Sequence, residues 1–278
     1  MIRIVTDSSS DMSARLAMEL GVTVIPIRIS LGSKIYYDGV DINRNDFYRH
    51  LTKVGALPSL EPPLLTEFSS VYRDLLKGTD QVLAIHISSN LCRTAQVARE
   101  AGKAFLGRNK ITVIDSRMVS WGLELLVTLA AEAARHGASV EEIVRLIRGA
   151  IPHIYMVFFV ENLAYWERYG RRRRDRMPGE TLPGFRPLLI FEDGEIVPIE
   201  RLRSRGRSVD RLFEFLAEFA QFDQATVLQG RFAGDAQALF EQLIEAFPKK
   251  RLDLRPYGPS LTTLLGPGAL GVGVYEGF

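Results

Sequence analysis

The sequence predicts an α/β protein built from two domains. Short apolar runs alternate with segments of helical spacing, which is typical of a mostly parallel sheet covered by helices on both faces. The chain has 278 residues, enough for two compact units. We expect an N-terminal α/β domain at residues 1–153 with the parallel sheet, and a smaller, mixed α/β domain at residues 154–278.

In the first half, helix signals separate the predicted strands. Gly21 ends the first helix, Asn43 caps a short one, and the run from Ser139 to Glu142 has the spacing of a capping box. A proline-bearing loop is expected at residues 58–63. The predicted strands are residues 3–6, 22–31, 81–87 and 111–114, and the longer helices are residues 12–20, 66–77 and 92–106, with another after Ser120.

In the second half, turn signals separate shorter elements. The triplet Glu192-Asp193-Gly194 lies between two β-rich runs and predicts a hairpin. A last strand is expected after the glycine-rich run at residues 266–271. The remaining predictions are a strand at 155–160 followed by a helix to Tyr169, a basic loop at 171–176, helices at 209–219 and 235–247, and a strand at 225–228.

Composition excludes several classes of protein. Hydrophobic residues make up 46% of the chain and charged residues 24%, as in ordinary soluble domains. The formal net charge of +2 is too small to indicate a nucleic-acid-binding protein. One cysteine, Cys92, rules out an intrachain disulfide and favours a cytoplasmic location. The first residues have neither the length nor the flanks of a signal peptide, and the most apolar helix is too short for a bilayer, so we expect no signal peptide and no membrane span.

The strongest functional signal is the segment at residues 88–94, Ser-Ser-Asn-Leu-Cys-Arg-Thr, called the serine turn below. It connects a predicted strand to a predicted helix, where unpaired N–H groups, the helix dipole and serine hydroxyls favour an anion. It lacks the glycines and lysine of a nucleotide-binding loop, which favours a carboxylate or a single phosphate. The alternative is that these residues only cap the helix. The candidate ligand-binding residues are Ser88, Ser89, Asn90, Arg93 and Thr94.

Two further polar turns follow predicted strands, at residues 7–10 and at Asp115-Ser116. Ligands of parallel α/β sheets bind outside the carboxyl ends of the strands. We therefore expect these two turns to converge with the serine turn. Each residue could alternatively be an ordinary turn or cap residue.

Signals of catalysis are sparse. None of the four histidines has metal-ligand spacing with another, and no metal or cofactor is predicted. Cys92 at a helix N-terminus could act as a nucleophile with His86 as its base, which is the enzyme alternative.

An arginine run at residues 171–176 has three interpretations. It could be a solvated loop, a nonspecific phosphate-binding patch, or a docking surface in which Arg171 pairs with an anionic headgroup. Asp175 interrupts the run and no aromatic residue lies within it, which argues against nucleic acid. Four more arginines, at positions 201, 203, 205 and 207, extend the basic character of the C-terminal half.

Several short segments, in this order and spacing, resemble the DegV family of bacterial fatty-acid-binding proteins over nearly the whole chain. The matching segments are Thr6-Asp7-Ser8-Ser9-Ser10-Asp11, Tyr37-Asp38-Gly39-Val40-Asp41-Ile42, the serine turn with Ile87, Val113-Ile114-Asp115-Ser116, Tyr169-Gly170-Arg171, Asp193-Gly194, and residues 266–271 with Gly266 and Gly268.

The resemblance implies two α/β domains with a long-chain fatty acid held in a tunnel between them. It implies a non-catalytic role, with the bound carboxylate presented to a separate fatty-acid kinase. No membrane span is implied, although transient membrane contact is compatible with such a role. A serine such as Ser89 would meet the carboxylate, which needs hydrogen-bond donors when it is buried.

Three departures from the family pattern affect the expected headgroup site. Where the family has Thr-Ser-Gln-Pro, either Ser59 or Leu60 takes the place of the threonine, depending on which proline is matched. The family histidine before Gly-Pro-Gly is Leu264 here. Ser-Gly-Thr has become Cys92-Arg93-Thr94, and Arg93 could act as a compensating cation. The alternative is therefore a protein for another small anionic or amphiphilic ligand.

Overall fold

The computed structural model describes residues 2–79, 81–105, 107, 110–169, 186–202, 205–231 and 233–277. The chain forms two compact units. The first unit comprises Met1–Ile151 and Gly258–Ser260, and the second comprises Pro152–Tyr257 and Leu261–Phe278. The domain boundary placed at 153/154 stays a prediction from the sequence.

The main sheet of the first unit is parallel throughout its described strands, as expected. Its strand order is β2-β1-β6-β7. The inner strands are almost completely buried, because helices cover them and no face is left for water. The strands are β1 Arg3–Asp7, β2 Val22–Ile25, β6 Gln81–His86 and β7 Lys110–Asp115.

A second, antiparallel sheet in the first unit corrects two predictions. It has the order β4-β3-β5, with β3 at Arg28–Leu31, β4 at Lys34–Tyr37 and β5 at Ser59–Glu61. The run at 22–31 is therefore two strands in different sheets, separated at Pro26, which has no N–H to donate to a ladder. The loop at 58–63 contains a strand.

Three helices of the first unit, α1, α2 and α6, begin after residues whose side chains cap them. Ser13, Asn43 and Ser139 each accept a backbone N–H, and Ser139 with Glu142 forms the predicted capping box. The helix predicted from position 92 begins two residues later, at Thr94. The helices are α1 Ala14–Leu20, α2 Arg44–Val54, α3 Leu65–Leu75, α4 Thr94–Gly102, α5 Ser120–Arg135 and α6 Val140–Ala150.

The second unit has a mixed sheet of order β10-β9-β8-β13-β11-β12, in which only β11 and β12 pair in parallel among the described strands. The predicted hairpin is confirmed, with Asp193 and Gly194 at positive φ in its turn. The strands are β8 Ile154–Phe159, β9 Arg186–Glu192, β10 Glu195–Leu202, β11 Gln224–Gln229, β12 Arg251–Pro256 and β13 Leu270–Tyr275.

The helices of this half are α7 Leu163–Tyr169, α8 Arg205–Ala217, α9 Ala233–Ala246 and α10 Pro259–Leu265. Two elements were missed from the sequence, β12 and α10. The Gly258-Pro259 pair was a usable signal for α10, since proline favours the first helical position. The mixed α/β class predicted for the chain is confirmed. No helix in the described ranges is both long and apolar enough to cross a membrane.

Candidate functional site

The three polar turns of the first unit converge at the carboxyl ends of β1, β6 and β7, as predicted. Ser88 N donates to Met118 O (3.0 Å), and Ser116 N donates to His86 O (3.0 Å). These bonds join the turn after β6 to the turn after β7. Because neighbouring parallel strands end at the same edge, residues far apart in sequence meet here.

Asp7 is the buried centre of this edge. Its Oδ2 accepts hydrogen bonds from Ile87 N (3.0 Å) and His86 Nδ1 (2.9 Å). Its Oδ1 accepts from both the backbone N–H and the hydroxyl of Ser9. The side chains of Asp7 and His86 are fully buried, so the carboxylate depends on these donors in place of water. Asp7 thereby fixes the end of β6 against the turn after β1.

The backbone N–H groups of residues 88–92 in the serine turn all donate to acceptors of the protein itself. Ser89 N donates to both carboxylate oxygens of Asp115 (3.2 Å each), and Asn90 N donates to Ser88 Oγ (3.3 Å). Leu91 N and Cys92 N both donate to Ser88 O (3.0 Å). Because α4 begins only at Thr94, the Cys92 N–H is not one of the groups that open the helix, and it donates to Ser88 O instead.

The hydroxyl of Ser89 differs from its neighbours. Its Oγ is buried and has no hydrogen-bond partner among the described residues. Ser88, in contrast, uses its Oγ to cap Asn90 N. A buried hydroxyl without a partner carries a free-energy penalty that a bound acceptor would relieve. Ser89 is therefore the group in the turn best placed to bind an anion.

Cys92 is unsuited to nucleophilic catalysis. Thr94 Oγ1 donates to its Sγ (3.3 Å), and burial raises the pKa of the thiol to about 11. The sequence placed Cys92 at a helix N-terminus that would stabilise a thiolate, but burial outweighs that effect. His86 Nδ1 binds Asp7, and His86 Nε2 has no hydrogen-bond partner among the described residues, so it does not bond to the Cys92 thiol. This pair of residues does not form an activated thiolate site.

The remaining polar residues of the serine turn differ in their exposure to solvent. Thr94 is fully buried, whereas Asn90 and Arg93 are exposed. Arg93 Nε donates to Gln96 Oε1 (2.7 Å) on the outer side of α4. The role of Arg93 as a compensating cation stays a prediction.

Ser59 and Leu60 both lie on β5, so their side chains point to opposite faces of the small sheet. Leu60 pairs with the buried Ile29, and Ser59 pairs with Ser30. Leu60 therefore shares the buried face of β3, while Ser59 lies on the face where Arg28 and Glu61 form an ion pair (3.3 Å). Which of the two replaces the family threonine stays open.

The glycine-rich turn after α10 lies in the second unit. Leu264 is fully buried on α10. Gly266 has φ +81°, donates its N–H to Thr262 O (2.8 Å), and accepts at its carbonyl from Tyr257 OH (2.9 Å). A Cβ on Gly266 would press on the Tyr165 ring, and one on Gly268 would overlap the Glu161 carboxylate. Gly266 thus has a structural reason to lack a side chain, whereas at Gly268 the exposed Glu161 side chain could move aside. Arg171 lies outside the described residues.

A second pair of carboxylates, the buried Asp38 and the half-buried Asp11, was missed from the sequence. Asp38 accepts a hydrogen bond from Ser260 Oγ (2.7 Å), and Asp11 accepts one from Ser120 Oγ. Burial raises the pKa of Asp38 from 3.8 to about 7, and the nearby Asp11 carboxylate adds to the shift. Asp38 lies within Tyr37-Asp38-Gly39, a segment whose only sequence signal is its resemblance to the family. Among the described residues, no group of three or more potential ligands could hold a metal ion.

The family of the chain follows from comparison with known proteins. A family profile described as "Uncharacterised protein, DegV family" matches residues 1–277. The chain belongs to the DegV family. A DegV domain-containing protein of Caldanaerobacter subterraneus subsp. tengcongensis is 34% identical over 276 residues, which are 98% of this chain and 97% of the relative.

Solved DegV structures share the fold along the full chain. A structure titled as fatty acid binding of a DegV family protein from Thermus thermophilus has a TM-score of 0.89 and 27% identity, covering 99% of each chain. The Fatty Acid Kinase B3 protein of Streptococcus pneumoniae, loaded with linoleic acid, has a TM-score of 0.83 and covers 100% of each chain. At 18% identity, the second likeness shows the fold alone.

Proposed function

We propose that this DegV protein binds a long-chain fatty acid and that the Ser89 hydroxyl donates a hydrogen bond to its carboxylate. The observation that carries the proposal is the buried Ser89 Oγ with no partner among the described residues. A carboxylate supplies the acceptor that this hydroxyl lacks. The fatty acid named for the relative from Thermus thermophilus, at 27% identity, supports the same ligand class.

The energetics favour a long acyl chain. Each buried methylene contributes roughly 0.8 kcal/mol, so a long chain supplies most of the binding free energy while the headgroup sets its orientation. The course of the acyl chain in a tunnel between the domains stays a prediction from the family resemblance.

The proposed role is that of a binding protein and not of an enzyme. The raised pKa of the Cys92 thiol disfavours the runner-up, an enzyme using Cys92 and His86. We further propose that the protein presents its bound fatty acid to a separate fatty-acid kinase, in the cytoplasm. The fold shared with the Fatty Acid Kinase B3 protein is compatible with this role. Addition of a kinase subunit and ATP to the loaded protein tests it, with an acyl phosphate as the expected product.

Native mass spectrometry followed by lipid extraction under denaturing conditions tests the ligand class. We expect a co-purified fatty acid at about one per chain, which also gives its length and saturation. A different anionic or amphiphilic molecule would contradict the proposal and would indicate that Leu264 and the segment at Ser59-Leu60 changed the specificity. A protein that is empty and takes up no added oleate would contradict it as well.

A further inference from the structure

The protein itself uses the backbone N–H groups on either side of Ser89, whereas the buried Ser89 hydroxyl has no partner among the described residues. The N–H groups of residues 88–92 all donate to protein acceptors, namely Met118 O, the Asp115 carboxylate, Ser88 Oγ and Ser88 O. An open turn of this kind would bind an anion through its backbone. Here the backbone is fixed, and the Ser89 hydroxyl remains.

Asp115 holds the residue that carries this hydroxyl. It ends β7, and its register partner on β6 is His86, three residues before Ser89. From there the carboxylate reaches across to Ser89 N with both oxygens at 3.2 Å. It also accepts from Arg117 N (3.0 Å), where the backbone has φ +53°. The Asp115 carboxylate thus accepts from its own turn, at Arg117 N, and from the serine turn, at Ser89 N.

Asp7 holds the opposite end of the same segment. It accepts from Ile87 N, two residues before Ser89, and is fully buried. The peptide that bears Ser89 therefore lies between two carboxylates supplied by the ends of β1 and β7. Carboxylate acceptors form stronger hydrogen bonds to N–H groups than neutral acceptors do.

We propose that Asp115, together with Asp7, is a positioning residue that fixes the Ser89 backbone so that its hydroxyl points at the fatty-acid carboxylate. This inference rests on the proposed function. It identifies what orients the headgroup donor, through acceptors that do not themselves bind the ligand.

The negative charge of Asp115 opposes ligand binding, although its hydrogen bonds position Ser89. A carboxylate one hydrogen bond away from the Ser89 backbone repels an anionic headgroup bound at the Ser89 hydroxyl. Positioning and charge can therefore be separated by two substitutions. Asp115→Asn removes the charge and one of the two oxygens that accept from Ser89 N, but its amide oxygen in the place of Oδ1 can still accept from both Ser89 N and Arg117 N. Asp115→Ala removes the charge and the acceptor together.

Oleate affinity, measured by calorimetric titration of delipidated protein, distinguishes these cases. We expect Asp115→Ala to bind oleate on the order of tenfold more weakly than wild type, and Asp115→Asn to bind it at least as tightly. Asp41→Ala is the matched control, because Asp41 also accepts a backbone N–H, that of Tyr37 (3.1 Å), but outside the serine turn. It should bind like wild type.

Hydrogen exchange at the Ser89 amide, followed by NMR, is a second readout that needs no ligand. Exchange should accelerate in Asp115→Ala and stay slow in Asp115→Asn. Wild-type affinity in Asp115→Ala would overturn the inference and leave the proposed function intact, as would equal weakening by both Asp115 substitutions. A wild-type protein that binds no oleate would overturn the proposed function, and the inference with it.

Discussion

The two units differ in what they bury. At the carboxyl edge of the parallel sheet in the first unit, the buried side chains include Asp7, His86 and several serines. In the second unit, the central strands β8 and β13 carry apolar residues and glycine. Among the described residues, every buried aspartate, glutamate and histidine lies in the first unit.

Buried charge costs stability unless it is paired, so its concentration in one place indicates a function there. The core of the second unit has a different composition. Phe159, Leu239, Val272 and their neighbours form a continuous apolar cluster between its sheet and helices α8 and α9. Such packing stabilises a fold and requires no ligand. The headgroup site that we propose lies in the first unit, and the apolar cluster under α8 and α9 contributes mainly to stability. Substitutions in each of the two units test this division of roles.

The largest expected effect is on the stability of the second unit. Leu239→Ala truncates a fully buried side chain of α9 and should lower the free energy of unfolding by about 2–5 kcal/mol. Chemical denaturation measures the loss. The affinity of the folded protein for oleate should not change. A clear loss of affinity would contradict the division of roles between the two units.

The second prediction concerns pH and the buried carboxyl of Asp38. Its pKa in the folded protein is about 7, above the ordinary value of 3.8, so folding favours the protonated form. The stability of wild type should therefore fall relative to Asp38→Asn as the pH rises from about 4 to about 7, because ionisation is favoured in the unfolded chain.

Unfolding midpoints of wild type and Asp38→Asn across this range measure the effect. Below pH 4 and above pH 7 the difference should level off. A difference that does not vary with pH would show that Asp38 is ionised in the folded protein, with Ser260 and Ser8 as sufficient donors.

The third prediction separates binding from stability at two serines. Ser89→Ala should weaken oleate binding by about 10- to 100-fold with little change in unfolding, since its hydroxyl has no partner among the described residues. Ser139→Ala is the control. It removes the cap of α6 and should cost about 1 kcal/mol of stability with no change in oleate affinity.

The smallest effect is expected at Arg93. Its side chain is exposed and bonded to Gln96, so as a compensating cation it would act through water. Arg93→Gln should weaken oleate binding by about two- to threefold at low salt, and less at high salt. Calorimetric titration at two salt concentrations measures this, and unchanged affinity in both would remove Arg93 from the site.

Local patterns predicted most of the main sheet and its helices, because alternating strands and helices, and capping residues such as Ser139, are recognisable from short stretches of sequence. The convergence of the three polar turns was also predictable from the topology of parallel sheets. The small sheet was not. Strand β5 has three residues, and only its pairing with the distant β3 makes it a strand.

The details of the site depended on long-range contacts for the same reason. Asp38 and Ser260 are 222 residues apart, and no local pattern marks either of them as buried. The hydrogen bonds from Ser89 N to the Asp115 carboxylate could be seen only once the register of β6 and β7 was known. The sequence identified Ser89 as a candidate, while the structure explains why its hydroxyl is the group left unbonded.

The most direct test of the central claim is NMR of oleate labelled with ¹³C at its carboxyl carbon, bound to wild type and to Ser89→Ala. If Ser89 donates to the carboxylate, wild type should show a bound carboxyl resonance distinct from free oleate, and the resonance should shift in Ser89→Ala at saturating protein. The same bound resonance in both proteins would contradict the account, because the carboxylate would then lie away from the serine turn.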